Sequence, residues 1–289
     1  MLTVLAPAKI NLTLEVLAKR PDGYHEIRSL IQSINLCDSL SFSLSDSIEF
    51  GCNNPDFVPE ESLISRATAL LQQATGCSKG ATIELTKRIP LTSGLGGDSS
   101  DAAAILSGLN KLWELGLSLE ELISLALKLG SDVPFFLYGG TALVEGRGEK
   151  ITKLPPLPHW WVVLIIPDVP RLPEKTKRLY TSLKTNHHTD GQITKNFIKA
   201  LREGGKIKPS LLFNTFENVA FDQFPGLKVY KEHFTKLGAK NIHLAGSGPA
   251  LFTLVEDRAE AKRLYENLQK QGVECYLVET LAAIINQGG

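Results

Sequence analysis

In AKINLTLEV, residues 8–16, the apolar side chains Ile10, Leu12, Leu14 and Val16 alternate with Lys9, Asn11, Thr13 and Glu15. A period of two predicts a strand with one apolar and one polar face, with Lys9 and Asn11 projecting from the same side. SLSFSL (39–44) and ATIELTK (81–87) alternate in the same way. Between them, ESLISRATALLQQATG spaces Leu63, Ala67, Leu70 and Leu71 as one face of a helix, and Gly76 is its stop. Ser118 and Glu121 form a capping-box pattern ahead of LEELISLALKLG, which Gly130 can end.

The second half changes character after LPPLPH (154–159), whose three prolines read as a linker. Beyond it a buried-strand run, WWVVLII (160–166), leads into helical patterns near 174–183, 192–203 and 227–237. Strands near 241–245 and 250–255, a helix near 258–271 and a strand at 273–279 follow. That β–α–β–β–α–β order predicts a ferredoxin-like layer of helices on an antiparallel sheet. The expectation is an α+β protein of two domains, residues 1–153 and 160–289.

Composition narrows the function. The chain has 289 residues, 43% hydrophobic and 21% charged, with Lys plus Arg equal to Asp plus Glu at 31 each. No global basic field argues for nucleic acid or a membrane surface. Four cysteines without CxxC spacing read as free thiols of a reducing compartment. MLTVLAPAK is too short an uncharged run for a secretory leader, so the expected location is the cytoplasm.

Chemistry concentrates in PLTSGLGGDSS, residues 90–100, directly ahead of the helical segment DAAAILSGLNKLW. A glycine-rich loop feeding a helix N-terminus brings free N–H groups and the positive end of the helix dipole to an anion, and glycine allows close approach. Gly94, Gly96 and Gly97 would supply the approach, and Ser99 or Ser100 could cap the helix or touch an oxygen. The same composition also suits a plain turn with a serine N-cap. Neither GxxxxGK[ST] nor GxGxxG is present.

With its flanks, PxxxGLGGxSS followed by DAA resembles the phosphate loop of the GHMP kinases. APAKINLTLEV resembles that family's first motif and HLAGSGPALFTLV (243–255) its third. The elements PDGYHEI and GSDVPFFLYGGTALVEGRGE are similar to those of a branch that phosphorylates a cytidine-diphosphate-linked methylerythritol at its 2-hydroxyl, in the non-mevalonate isoprenoid pathway. The resemblance covers nearly the whole chain and is weakest between about 184 and 240. It implies a two-domain GHMP kinase fold, an S5-domain-2-like β–α sandwich followed by the ferredoxin-like domain. It also implies ATP with Mg²⁺ and a small-molecule acceptor, with monomer or dimer left open.

Residue by residue, the resemblance makes Lys9 and Asp132 the catalytic pair: an ammonium for charge developing on oxygen and a carboxylate to accept the hydroxyl proton. Read alone, Lys9 is a solvated charge and Asp132 a turn acid ahead of Pro134. The ATP loop is Pro90, Leu91, Thr92, Ser93, Gly94, Leu95, Gly96, Gly97, Asp98, Ser99 and Ser100. Asn11, Tyr24, His25, Gly246 and Ser247 fall on substrate positions, with His25 at the cytosine edge and Tyr180 about where an aromatic ring stacks on that base. Family members commonly carry glycine where this chain has Thr92, Ser93 or Asp98. Thr92 and Ser93 are tolerable if φ is negative there. Asp98 has two readings, an outward loop acid or a Mg²⁺ partner. His187 and His188 read as solvated loop residues. A homoserine or mevalonate-type kinase, a silent nucleotide-binding regulator and an S5-like RNA-binding module are the competing functions.

Overall fold

The computed structural model describes residues 1–204 and 207–282. The last residues of the second expected domain, 283–289, lie outside the described residues. In chain order, β1 (Leu2–Lys19), β2 (His25–Ser45) and β3 (Ile48–Cys52) precede α1 (Leu63–Thr75), β4 (Gly80–Thr86), α2 (Gly97–Leu112), α3 (Leu119–Leu129) and α4 (Val133–Tyr138). β5 (Thr141–Gly146), β6 (Lys150–Lys153) and β7 (Trp161–Ile165) follow, then α5 (Lys175–Ser182), α6 (Gln192–Arg202), β8 (Phe213–Asn214), α7 (Glu217–Gln223) and α8 (Leu227–Lys236). The chain closes with β9 (His243–Leu244), β10 (Leu251–Val255), α9 (Arg258–Gln269) and β11 (Cys275–Glu279).

β1 and β2 are far longer than the alternating stretches that announce them. They pair antiparallel from Leu2↔Phe42 to Lys19↔His25, with register shifts at Pro7/Ala8, Asn11/Thr13 and Val16/Ala18. Each irregularity resets which face a side chain meets, so a strict period of two cannot persist along the strand. The polar face of β1 is also not solvated: Lys9 is 5% exposed, and Asn11, Thr13 and Glu15 are buried too. Internal partners replace water for most of these polar atoms, although Glu15 Oε1 has none. Glu15 Oε2 accepts the Thr194 N–H in the first turn of α6 at 2.7 Å.

The first sheet runs β3-β4-β2-β1-β8, with β5 and β6 added on the β2 side. The second runs β11-β7-β10-β9, and every pair in it is antiparallel. Numbered within its own segment, that is strand order 4-1-3-2, the ferredoxin-like arrangement that the pattern of elements predicts. The residues between β6 and β7 link the sheets without strand or helix, and Leu157 is nonetheless buried. β8 and α7, unread in the sequence, come from a stretch too short or too weakly periodic to signal itself.

Three apolar clusters stack through the molecule. One packs α1 to α4 on the first sheet around Phe42, Ile83 and Trp113. A second lies between the sheets, joining Ala8, Ile10 and Leu12 to Val162, Leu164 and Phe252. The third packs the far helices on the second sheet and takes in Leu14 and Val16. Ala6 belongs to the first cluster, so β1 contributes buried side chains to all three.

Inside α2, Gly108 faces the buried Phe42 ring: a Cβ there would lie 2.5 Å from the ring's Cζ. Alanine normally gains about 1 kcal/mol over glycine in a helix, but overpacking a core costs about 1–3 kcal/mol. Gly108→Ala is therefore expected to destabilise the protein, read as a lower urea midpoint; a raised midpoint would show that the core yields.

Candidate active site

The bulged part of β1 delivers Lys9 and Asn11 to the floor of a cavity of about 1270 Å³. Lys9 Nζ donates to Asn11 Oδ1 at 2.8 Å, and the Asn11 amide donates to Ser29 Oγ at 2.8 Å, whose hydroxyl donates to the Thr13 carbonyl at 2.6 Å. This chain of bonds fixes the orientation of Asn11 and aims the ammonium. Asp132 holds the N-cap position of α4 but makes no side-chain bond to that helix. Its carboxylate instead stands 3.6 Å from Lys9 Nζ, half open to the cavity. The two residues expected to act as a pair are brought together.

The loop 90–96 winds from β4 into α2. Its helix starts at Gly97, earlier than the serines, and its N-cap is Gly96 with no side-chain cap. The expectation that Ser99 or Ser100 caps the helix is corrected: both lie inside the first turn, and Ser100 Oγ is committed to the Pro7 carbonyl at 2.7 Å. Ser100 N already bonds the Gly96 carbonyl, which leaves the N–H groups of Gly97, Asp98 and Ser99 without a helical acceptor. Leu95 points its side chain into the core, while its carbonyl accepts the Lys9 N–H at 2.9 Å. Ser93 is buried, its hydroxyl donating to the Pro90 carbonyl at 2.7 Å.

Thr92 corrects the expectation of negative φ. It sits at φ 55°, in the left-handed region where a β-branched residue is strained. Glycine would adopt that conformation without such cost.

The loop touches the turn that joins β9 to β10. A Cβ on Gly94 would lie 2.2 Å from the Ala245 carbonyl, and one on Gly246 would lie 2.9 Å from both the Gly94 carbonyl and Lys9 Nζ. Asn214 at the end of β8 holds this turn, donating to the Leu244 and Gly246 carbonyls at 2.9 and 2.8 Å. Ser247 faces the cavity and accepts or shares a bond with Thr176 Oγ1 at 3.0 Å.

At the other end, the ring of His25 stacks on Tyr180 with centroids 4.7 Å apart and planes 16° from parallel, and Tyr180 meets Phe216 edge-on. Burial, with His188 and Lys19 nearby, holds the imidazole of His25 below its ordinary pKa and so neutral. His188 is half-buried and edge-on to His25, not the solvated loop residue expected. Tyr24 is exposed, with the Arg147 guanidinium 4.8 Å from its ring centre.

Two features escaped the sequence reading. Lys87 forms a buried cluster with Asp38 and Asp101, its ammonium 2.5 and 2.7 Å from their carboxylates. Asp38 also accepts the N–H groups of Arg88 and Ile89. Burial penalises the Lys87 ammonium, yet the charges of Asp101 and Asp38 hold its pKa above the usual lysine value. Burial pushes the Asp101 carboxyl up; Lys87 opposes this and Asp38 adds to it. Asp98, in the first turn of α2, lines the cavity rim, its pKa raised by the surrounding protein against the pull of Lys87. The other feature is Lys175, whose ammonium reaches both loops. Neither carries a local sequence motif, because the partners are distant in the chain.

Known proteins match this architecture along its length. The model of the GHMP kinases N terminal domain matches residues 62–140, and that of the GHMP kinases C terminal matches residues 195–274. A 4-diphosphocytidyl-2-C-methyl-D-erythritol kinase of Dehalococcoides mccartyi is 49% identical over 98% of this chain and 100% of its own length. One from a Geobacillus species is 40% identical over 93% of each chain. A crystal structure of 4-(cytidine 5'-diphospho)-2C-methyl-D-erythritol kinase superposes with a TM-score of 0.82 at 34% identity, covering 96% of this chain and 99% of that one. The homoserine kinase of Cytophaga hutchinsonii shares the fold, with a TM-score of 0.77 at 19% identity, over 98% of this chain and 95% of its own.

Removing the Lys87 ammonium strands two buried carboxylates, a loss of about 3–5 kcal/mol for breaking a buried ion pair from one side. Lys87→Met is expected to lower the unfolding free energy by that order in a denaturant titration at neutral pH. A loss under 1 kcal/mol would mean that the cluster is dispensable.

Proposed function

The chain belongs to the GHMP kinases, in the branch of the 4-diphosphocytidyl-2-C-methyl-D-erythritol kinases, and on that premise we propose the roles of its residues in the reaction. It is a small-molecule kinase that uses ATP and an alcohol acceptor. The acceptor is the 2-hydroxyl of 4-diphosphocytidyl-2-C-methyl-D-erythritol, and the products are its 2-phosphate and ADP, in non-mevalonate isoprenoid precursor formation. Among the described residues no helix is long and apolar enough to cross a membrane, and all four cysteines are unpaired. Free thiols suit a reducing compartment, and the cytoplasm is the proposed place of action.

The observation that carries the assignment is the convergence of Lys9, Asp132 and the glycine loop on one cavity. Asp132 takes the proton of the acceptor hydroxyl as its oxygen bonds to the terminal phosphorus of ATP. The bond from that phosphorus to the bridging oxygen breaks, and ADP leaves with the electron pair. Lys9, held by Asn11, steadies the charge on the acceptor oxygen, so catalysis is positioning plus electrostatics. The free N–H groups of Gly97, Asp98 and Ser99, with the dipole of α2, cradle the phosphates. The loop backbone from Pro90 through Gly96 shapes this cradle; Leu95 and Ser100 support it from behind. His25, neutral, offers one donor and one acceptor to the cytosine edge, with Tyr180 and Tyr24 as the aromatic walls. Gly246 and Ser247 close over the acceptor and phosphate region.

Mg²⁺ fits Asp98. Among the described residues no group of three or more His, Cys, Asp or Glu forms a ready cage. Mg²⁺ commonly needs only one or two carboxylates when phosphates supply other oxygens, and Asp98 stands on the rim beside the phosphate cradle. When bound, the ion would neutralise phosphate charge and offset repulsion between Asp98 and the triphosphate.

A coupled ADP-release assay tests the pair. With the cytidine-diphosphate substrate, Asp132→Ala is expected to lower kcat by about 10²–10⁴-fold, the usual worth of a general base; turnover that survives removes Asp132 from that role. Mevalonate and homoserine should give no turnover with the wild type. Asp98→Ala should raise the Mg²⁺ concentration needed for half-maximal rate, and an unchanged requirement would move the metal elsewhere.

A further inference from the structure

Lys175 opens α5, and its ammonium bridges two loops. It donates to the Thr92 carbonyl at 2.5 Å and to the Gly248 carbonyl. An ammonium has three donors, and these bonds use two. The side chain lines the cavity that holds Lys9. Among the described residues no carboxylate lies within ion-pair distance of it, whereas Lys9 has Asp132 at 3.6 Å. Burial, with Lys9 adding repulsion, pushes the Lys175 ammonium down to about 7. Lys175 is half-buried, and a lysine drawn out of water without a counter-ion is costly; such groups persist where an anion is to be received.

The backbone on both sides of this contact is strained. Thr92, which supplies the carbonyl, has φ 55°, and Glu174, immediately before Lys175, has φ 49°. Left-handed non-glycine residues are held only where their surroundings fix them. Here they set the carbonyl and the lysine toward each other, across the space between the phosphate loop and the turn after β9.

We propose that Lys175 is a ligand of the phosphate being transferred: its amino group holds the two loops together in the empty enzyme and bonds the terminal phosphate oxygens when ATP binds. This rests on the reading of the site as an ATP site. No proton or covalent bond of Lys175 changes during the transfer itself. The phosphorus–oxygen bond to ADP breaks, the bond to the acceptor oxygen forms, and the hydroxyl proton goes to Asp132. Lys175 is protonated before this, as the nucleotide arrives. Its charge then lies opposite that of Lys9, with the phosphoryl group between them. Lys9 on β1 is the charge that acts on it directly, and Asp132 ahead of α4, Asp98 in α2, Lys87 and Arg171 are among the other charged groups that line the same cavity. On its own segment Glu174 and Lys177 pair with each other at 3.1 Å.

Two measurements on the full chain decide this. In steady-state kinetics, Lys175→Met should raise KM for ATP about tenfold and lower kcat about 10²–10³-fold, the usual loss for one donor at a developing charge. KM for the acceptor should move less than twofold. Lys175→Arg, which keeps the charge, should recover most of the ATP affinity. In calorimetry at pH 8, binding of a non-hydrolysable ATP analogue is repeated in two buffers of different ionisation enthalpy. The wild type should take up nearly one proton, since its lysine is mostly neutral before binding, and Lys175→Met and Lys175→Arg should take up almost none. A Lys175→Met protein that keeps kcat and KM for ATP while melting at lower temperature would reduce Lys175 to a latch and overturn the proposal. So would equal proton uptake in all three proteins. A wild type that binds the analogue with proton uptake but phosphorylates no acceptor would instead sink the reading of the reaction and leave Lys175 as a phosphate ligand.

Discussion

Everything at the site depends on the closeness of two backbone turns. The loop before α2 and the turn between β9 and β10 approach so nearly that a single methyl group on Gly94 would run into the Ala245 carbonyl. Neither turn can be built where it is with side chains in between. The contact brings the free N–H groups of the first turn of α2, the Lys9 ammonium and the Gly246–Ser247 turn to one wall of the cavity. It also joins the two sheets at their chemically active edge, since one partner precedes a helix of the first layer and the other ends a strand of the second.

Around that contact the lysines are not matched alike. Lys9 has a carboxylate at 3.6 Å, whereas among the described residues Lys175 has carbonyl partners and no ion pair. Lys87, by contrast, sits between two buried carboxylates beneath the same loop, where it braces the structure. Zero net charge over the whole chain conceals this local imbalance. A pocket that sets Lys175 and free N–H donors on one side, bordered by strained backbone, is preorganised for a polyanion.

The motifs revealed the identity of the site better than its construction. Lys9, Asn11, Asp132 and the glycines stand in short local patterns, and alternation along β1 already put Lys9 and Asn11 on one side. The ferredoxin-like order of the second sheet was legible because its strands and helices are separate and regular. What stayed hidden depends on distance along the chain. β1 and β2 outran their alternation because three irregularities shift the register between faces. Thr92 gave no local sign of its positive φ, which the surrounding contacts impose. The Lys87 cluster and the reach of Lys175 unite residues from separate elements, and no window along the sequence contains both partners. Tyr180 meets His25 across a long stretch of chain, a contact that tertiary packing makes and no local spacing shows.

One consequence of β1 concerns how the molecule can come apart. The strand that carries Lys9 supplies side chains to all three apolar clusters, with Ala6 in the first, Ile10 in the second and Val16 in the third. A strand so shared cannot be released by loosening one layer, because each neighbouring layer still holds it. Opening of the backbone at Lys9 is thus tied to disruption of the whole fold, not to local fraying. The cavity floor at Lys9 is therefore expected to open only with the whole fold, which leaves the motions that admit and release ligands to the loops around it.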